Sequence, residues 1–170
     1  FKYEMALEYY KDALSIKREI GDNRHIAKSL NNIGHLYMIV GKYDEAMRYF
    51  TESLEIKKGL NDKRGIGITL ENLGYIHLNN KNYDSAHVML TQSLDIRKNL
   101  KDNYGLLTIY KYLGILDYQL GNYDNSFEQL NKAYAIMENR LGHYDVHILS
   151  LLVLTCLSID RKTEASEKLN

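Results

Sequence analysis

The chain has 170 residues, of which 45% are hydrophobic and 26% charged, as in an ordinary globular protein. Its 22 Lys and Arg residues balance 22 Asp and Glu residues, and without a basic excess the chain is not expected to bind nucleic acid. A single cysteine excludes an internal disulfide and a multi-cysteine zinc site. The longest apolar run, Ile148 to Ile159, is too short to cross a bilayer, so no membrane association is expected.

The sequence repeats itself every 40 residues. One phrase recurs in four versions: FKYEMA at 1–6, GKYDEA at 41–46, KNYDSA at 81–86 and GNYDNS at 121–126. A fixed period in this range is typical of a solenoid, in which each stacked unit contacts only its neighbours. Such proteins rarely catalyse reactions and usually present long surfaces to other proteins.

Each unit is predicted to contain two helices. In the first complete unit, apolar residues recur at helical spacing from Ala27 to Tyr37, and a second stripe of this kind runs from Ala46 to Ile56. Gly41 interrupts the pattern between them, where a helix is expected to end. The fold class predicted is therefore all-α, a right-handed α-solenoid of antiparallel helix pairs.

The chain is predicted to form a single array. Its predicted segments are a lone second helix of a truncated repeat at 1–20, full repeats at 22–60, 62–100 and 102–141, and a divergent terminal repeat at 143–170. In the first segment, an apolar face containing Met5, Leu7, Tyr10 and Leu14 would lack a neighbouring helix. We therefore expect that the chain is a fragment of a longer protein or that this helix pairs with another chain.

Two other residue types keep the period. Asp22, Asp62 and Asp102 precede the first helix of successive units and are predicted to be N-caps. Glycines recur inside the first helices, at Gly34, Gly74 and Gly114. Because a glycine inside a helix costs about 1 kcal/mol relative to alanine, its recurrence predicts close helix–helix contact at these positions.

This alternation of small and large positions resembles the tetratricopeptide repeat family. The likeness lies in Leu30 to Gly34, Tyr37, Ala46, Phe50 and Ser53, and it extends over essentially the whole chain. The period is that of the extended variety, which is similar to the kinesin light chain, the Leu-Gly-Asn-repeat adaptors and bacterial regulators. The resemblance implies binding of a polypeptide.

In a solenoid of this kind the first helices line a concave groove. The side of those helices away from the packing stripe supplies the predicted peptide-binding residues: Lys28, Asn31, Asn32, His35, Glu71, Asn72, Tyr75, Lys111, Tyr112 and Tyr118. Amides and aromatic rings with few charges suit protein recognition. The resemblance further implies that Asn32 and Asn72 hold the backbone of a bound peptide; the alternative is that both are solvated or bridge neighbouring helices.

Catalysis is not expected. His143 and His147 are four residues apart and could share a metal on a helix, but zinc generally needs three or four protein ligands, so no metal is predicted. Cys156 lies in an apolar run and is predicted to be a buried, inert thiol. No phosphate-binding glycine loop occurs, and no cofactor is expected.

Two functions remain open at this point. The chain is expected to be a non-catalytic module that binds a protein or peptide in the groove, within a larger regulatory or signalling protein. The alternative is a structural spacer or self-association module that acts through its terminal helices, and a domain that senses an effector peptide is a third reading. The cytoplasm is the expected location, although a periplasmic sensor arm is compatible with the one cysteine.

Overall fold

A computed structural model of the chain describes residues 2–140 and 145–159. These two ranges contain eight α-helices and no β-strand. The helices are α1 Lys2–Ile20, α2 Asn23–Ile39, α3 Tyr43–Gly59, α4 Lys63–Asn79, α5 Tyr83–Asn99, α6 Asn103–Gln119, α7 Tyr123–Arg140 and α8 Val146–Ser158.

The chain divides into two compact units, Phe1–Asn82 and Tyr83–Asn170. In unit 1, α2 packs against α1 on one side and α3 on the other, and α4 contacts both α3 and α2. In unit 2, α6 packs against α5 and α7, and α8 contacts both α7 and α6. Each unit therefore contains a central hairpin, α2–α3 or α6–α7, with a further helix packed on each of its members.

The core of unit 1 joins α1 to α2. Leu14 is buried together with Ile26, Leu30 and Ile33, and Leu7 packs against the same cluster. The expectation that the apolar face of α1 lacks a neighbour is therefore wrong for Leu7 and Leu14. The reason is that these two side chains lie seven residues apart, on the same stripe of α1, and this stripe faces α2.

The rest of the predicted apolar face of α1 is open to solvent. Met5 is 53% exposed and Tyr10 is 37% exposed. Tyr9 and Ile16, on the same helix, are 70% and 57% exposed. The helix thus buries one stripe and leaves several large side chains in water.

Unit 2 has a core of its own between α7 and α8. Leu130, Ala133 and Met137 of α7 meet Ile148 and Leu152 of α8, and all five side chains are buried. Cys156, one turn further along α8, is also fully buried, as the sequence predicted.

Aspartates cap the first helices, as predicted. The side chains of Asp22, Asp62 and Asp102 accept hydrogen bonds from the backbone N–H groups of His25, Gly65 and Gly105, at 3.2, 2.9 and 3.2 Å. Asp145 caps α8 by accepting from the N–H of His147 at 2.9 Å. This fourth cap was not predicted, because the last unit departs from the period.

Gly34 and Gly114, two of the three glycines predicted to mark close helix contact, lie where two helices meet closely. A methyl group on Gly34 would lie 2.9 Å from ring carbons of Phe50, and one on Gly114 would lie 2.6 Å from Cγ of Leu130. Both distances are shorter than ordinary van der Waals contact. The absence of a side chain at these positions therefore lets α2 and α3, and α6 and α7, approach each other.

Candidate functional site

Seven of the ten predicted peptide-binding residues lie on α2 and α4 of unit 1, two helices that contact each other. Lys28 and His35 are exposed on α2, and Asn32 is half-buried. On α4, Glu71 and Tyr75 are half-buried. The structure therefore brings these residues onto one pair of neighbouring helices, and we call the surface formed by α2 and α4 the first-helix face of unit 1.

Asn72 differs from the other residues of this face. Its side chain is only 7% exposed, and its Nδ2 atom has no hydrogen-bond partner among the described residues. A buried amide N–H without a partner costs about 1–3 kcal/mol. Such a group is retained in a stable protein when something else, such as a ligand, satisfies it.

Asn31 is engaged within the fold. Its Oδ1 atom accepts hydrogen bonds from Nζ of Lys57 at 3.1 Å and from Oγ1 of Thr69 at 3.2 Å. Lys57 Nζ also donates to Thr69 Oγ1 at 2.7 Å. One side chain each from α2, α3 and α4 thus forms a polar cluster, so Asn31 connects the helices of unit 1.

Lys57 is an unusual lysine because it is only 6% exposed. Burial lowers the pKa of its ammonium group to about 8, and the nearby Asp62 carboxylate partly opposes this shift. Part of the Lys57 population therefore becomes neutral just above physiological pH.

Tyr75 contacts another tyrosine. Its phenol hydrogen-bonds that of Tyr43, the first residue of α3, and the pKa of Tyr43 is raised by burial and by this neighbour. Tyr75 therefore lies near the beginning of α3, at one end of the first-helix face.

The remaining three predicted residues, Lys111, Tyr112 and Tyr118, lie on α6 in unit 2. Lys111 Nζ lies 3.1 Å from Oδ2 of Asp145, and its hydrogen bond and charge lower the pKa of that carboxyl against the opposing effect of burial. The Lys111 ammonium also lies 5.9 Å from the centre of the Tyr112 ring. Tyr118 packs on Tyr123 with ring centres 5.3 Å apart.

Sequence reasoning missed the cations that recur at one position of the repeat, half-buried at Lys17 and buried at Lys57 and Arg97. Lys17 donates to Oγ of Ser29 at 2.7 Å, Lys57 binds Thr69 and Asn31, and Arg97 forms an ion pair with Asp102. The signal was present in the sequence, because a basic residue recurs at this place in three units and Met137 replaces it in the fourth.

Residues 2–140 and 145–159 contain no group of three His, Cys, Asp or Glu side chains placed to hold a metal ion. His143, one member of the histidine pair considered above, lies outside the described residues. Within the same ranges, no helix is both long and apolar enough to span a membrane.

The described helices form antiparallel pairs. An N-cap aspartate and a buried small residue recur in these pairs at a fixed period, and together these features define a class of protein. The class is the all-α, right-handed α-solenoid of antiparallel helix pairs, as the sequence predicted. The family model for the tetratricopeptide repeat matches residues 1–59, 25–99 and 65–139. The chain belongs to the tetratricopeptide repeat family, as its resemblance indicated.

Solved structures with a similar fold include BtubC (BKLC) from P. vanneervenii, with a TM-score of 0.88 and 19% identity over 98% of this chain and 70% of that one. The apo form of RapI gives a TM-score of 0.86 and 17% identity over 98% of this chain. A putative kinesin light chain from Podospora anserina gives 0.72 and 15% identity over 98% of this chain and 83% of that one.

The chain spans 47% of the length of RapI. No match was found among curated protein sequences. At these identities the structural likeness concerns the fold. Proteins of the tetratricopeptide repeat family generally bind protein partners, and their fold is typically a non-catalytic scaffold. The general function of the chain is accordingly that of a protein-interaction scaffold.

Proposed function

We propose that the first-helix face of unit 1 binds a polypeptide segment, and that this binding is the main function of the chain. The segment is held by its backbone at Asn72 and by side-chain contacts to the surrounding residues of α2 and α4. The chain acts in this way as the docking part of a regulatory or signalling protein, and we place it in the cytoplasm.

The observation that carries the proposal is the unsatisfied Nδ2 group of Asn72. An extended peptide presents a carbonyl oxygen at every residue, and a carbonyl is the natural acceptor for an amide N–H. Rotation of the Asn72 side chain toward the bound segment brings Nδ2 to such a carbonyl, and the hydrogen bond formed there removes the cost of a buried, unpaired donor.

The surroundings of Asn72 fit a polypeptide better than a highly charged ligand. Lys28 and Glu71 carry opposite charges on the two helices of the face, and Asn32 occupies on α2 the position that Asn72 occupies on α4, 40 residues later. Amides placed at the period of the repeat suit a ligand whose own polar groups recur at regular intervals, such as a peptide backbone.

The test uses a peptide selected from a displayed random-peptide library on the wild-type chain. In the variant Asn72→Leu, a side chain of similar size removes the donor, and we expect the affinity for the selected peptide to fall about tenfold, which corresponds to about 1.4 kcal/mol. Fluorescence polarisation with a labelled peptide measures the dissociation constant, and circular dichroism checks that the variant is folded.

The matched control is Asn79→Ala, which removes an exposed asparagine from the same helix, α4. Its amide donates only to the carbonyl of Tyr75 within that helix, so the affinity should not change. Failure to select any peptide, or equal affinities of wild type and Asn72→Leu, would contradict the proposal.

A second candidate function, self-association, is favoured by the exposed apolar side chains of α1. Met5, Tyr9 and Ile16 are each more than half exposed, and exposed patches of this kind mark interaction surfaces. Light scattering at increasing protein concentration separates the two functions. A monomer at all concentrations rejects self-association, whereas a dimer that Tyr9→Ser and Ile16→Ser dissociate supports it.

A further inference from the structure

A cavity of about 460 Å³ lies between α1 and α3 of unit 1, and none of its lining residues is among those proposed to bind a peptide. Helix α2 contributes Tyr37 to its lining. The volume falls within the range of sites that hold small molecules. Both helices that form its walls pack on α2, so the packing of these three helices fixes the shape of the cavity.

One wall of the cavity is aromatic. The rings of Tyr37 and Tyr49 are stacked with their centres 5.5 Å apart and their planes inclined by 16°. Nζ of Lys11 lies over the Tyr37 ring, 5.8 Å from its centre. The contact with Tyr37 raises the pKa of Lys11, so this lysine stays charged beside the rings.

The charges of the lining are mixed, with one more cation than carboxylates. Arg18 and Glu52 form an ion pair, at 2.5 Å between nitrogen and oxygen, that connects α1 to α3. This pair leaves Lys11 and Arg48 as the cations, and Glu45 as the carboxylate, that face the cavity without such a partner in it. Outside the ion pair, the cavity therefore offers two positive groups, one carboxylate and a pair of rings.

Several residues that line the cavity are not repeated in unit 2, although the residues at the close helix contact are. Two periods later, in unit 2, glycine again stands opposite a large apolar residue, since Gly34 and Phe50 become Gly114 and Leu130. At the lining positions, by contrast, Asp117 replaces Tyr37.

The other lining positions change in the same direction. The residues two periods after Lys11, Arg48 and Tyr49 are Thr91, Glu128 and Gln129. A helix pair of this family therefore folds without the rings or the cations. Tyr37 and Tyr49 also pack against the buried core of unit 1. The exposed cations Lys11 and Arg48 have no such part in the core, and a ligand supplies a reason for their presence beside the rings.

We propose that this cavity binds a small organic phosphate that carries an aromatic ring, of the size of a nucleoside monophosphate. Arg48 and Lys11 bind the phosphate oxygens, because guanidinium and ammonium groups form the strongest hydrogen bonds with phosphate. The ring packs on the Tyr37–Tyr49 pair. Glu45 accepts a hydrogen bond from a hydroxyl or amino group of the ligand. This site is independent of the peptide-binding face.

The experiment is a titration of the full chain with adenosine monophosphate, followed by isothermal calorimetry and by backbone amide chemical shifts. Adenosine and inorganic phosphate are titrated in parallel. We expect saturable binding of the monophosphate, with shifts concentrated in α1, α3 and around Tyr37. Adenosine or phosphate alone should bind at least about tenfold more weakly, since each makes only part of the contacts.

Two variants test the residues, and a third is the control. Arg48→Gln and Lys11→Gln each remove one exposed cation from the lining, and each should weaken binding about tenfold or more. Lys58→Gln removes an equally exposed cation from α3 outside the cavity, where it pairs with Glu55, and should leave the affinity unchanged.

Three results would overturn the proposal. The first is the absence of saturable monophosphate binding at low salt. The second is equal weakening by Arg48→Gln and Lys58→Gln, which would show a general effect of surface charge. The third is binding of inorganic phosphate as tight as that of the monophosphate, which would show that the rings contribute nothing.

Discussion

A buried cation occupies the same position in successive repeats, and Lys57 shows what it does. Its ammonium group connects α3 to Thr69 on α4 and to Asn31 on α2. A lone buried charge would be costly, but here two oxygen atoms accept hydrogen bonds from the ammonium group, and Asp62 lies nearby. The lysine thus holds three helices in register through directional contacts.

The lowered pKa of Lys57 predicts how stability depends on pH. The unfolded chain has an ordinary lysine pKa of 10.5, and the folded chain has a pKa of about 8. Between these values the unfolded state binds more protons, so the free energy of unfolding rises with pH. The variant Lys57→Met lacks this contribution. We expect the stability of wild type relative to the variant to rise by roughly 1–3 kcal/mol from pH 8 to pH 10.5.

Urea denaturation at several pH values measures this difference. Methionine is the matched replacement because Met137 occupies the corresponding position in α7. Lys58→Met is the control, since Lys58 is exposed and the difference from wild type should stay nearly constant with pH. A pH-independent difference for Lys57→Met would show that the folded-state pKa is ordinary.

At the scale of the helix, the N-cap aspartate of each first helix makes different interactions in different repeats. Asp62 is exposed and caps α4 through the N–H of Gly65. Asp102 caps α6 through the N–H of Gly105 and also forms an ion pair with Arg97, in which the two side chains are only 7% and 12% exposed.

We therefore expect unequal losses of stability when the two caps are removed. Asp62→Ala should cost about 1 kcal/mol, the usual value for an N-cap. Asp102→Ala should cost about 3 kcal/mol or more, because it also removes the carboxylate that neutralises a buried guanidinium. Thermal or urea unfolding followed by circular dichroism gives both values. Equal losses would mean that the buried ion pair contributes no net stability.

At the scale of the whole chain, burial is distributed unevenly among equivalent helices. Helix α3 buries five residues: Ala46, Phe50, Ser53, Leu54 and Lys57. In the equivalent helix α1, Leu14 is the only buried residue among those described. Helices that bury few side chains open more often, because less apolar surface is exposed when they do.

Hydrogen exchange should reveal this difference. We expect the backbone amides of α1 to exchange at least about tenfold faster than those of α3 at neutral pH. Mass spectrometry of peptides from residues 3–20 and 43–59 compares them directly. Similar protection in the two helices would contradict this expectation and show that the number of buried side chains does not set the stability of these helices.

The regular features of the fold were predictable because they are local and recur. Helical stripes, the aspartate caps and the interhelical glycines each depend on a few neighbouring residues and a fixed period. The same reasoning failed for Leu7 and Leu14, which it left without a neighbour, because periodicity shows which residues share a face and not which helix covers it. For the candidate site, the peptide-binding role of Asn72 and the other nine residues stays a prediction, because spacing along the chain shows which residues share a face but not what that face binds.

The sequence by itself therefore determined the all-α fold of helix pairs and the tetratricopeptide family. Only the tertiary structure decided which polar groups are satisfied. Asn31 and Asn72 are both asparagines at first-helix positions, yet one is bonded to Lys57 and the other keeps an unpaired buried donor. The physical reason is that hydrogen bonds and cavities depend on ångström-scale distances between helices, and one-dimensional spacing does not contain these distances.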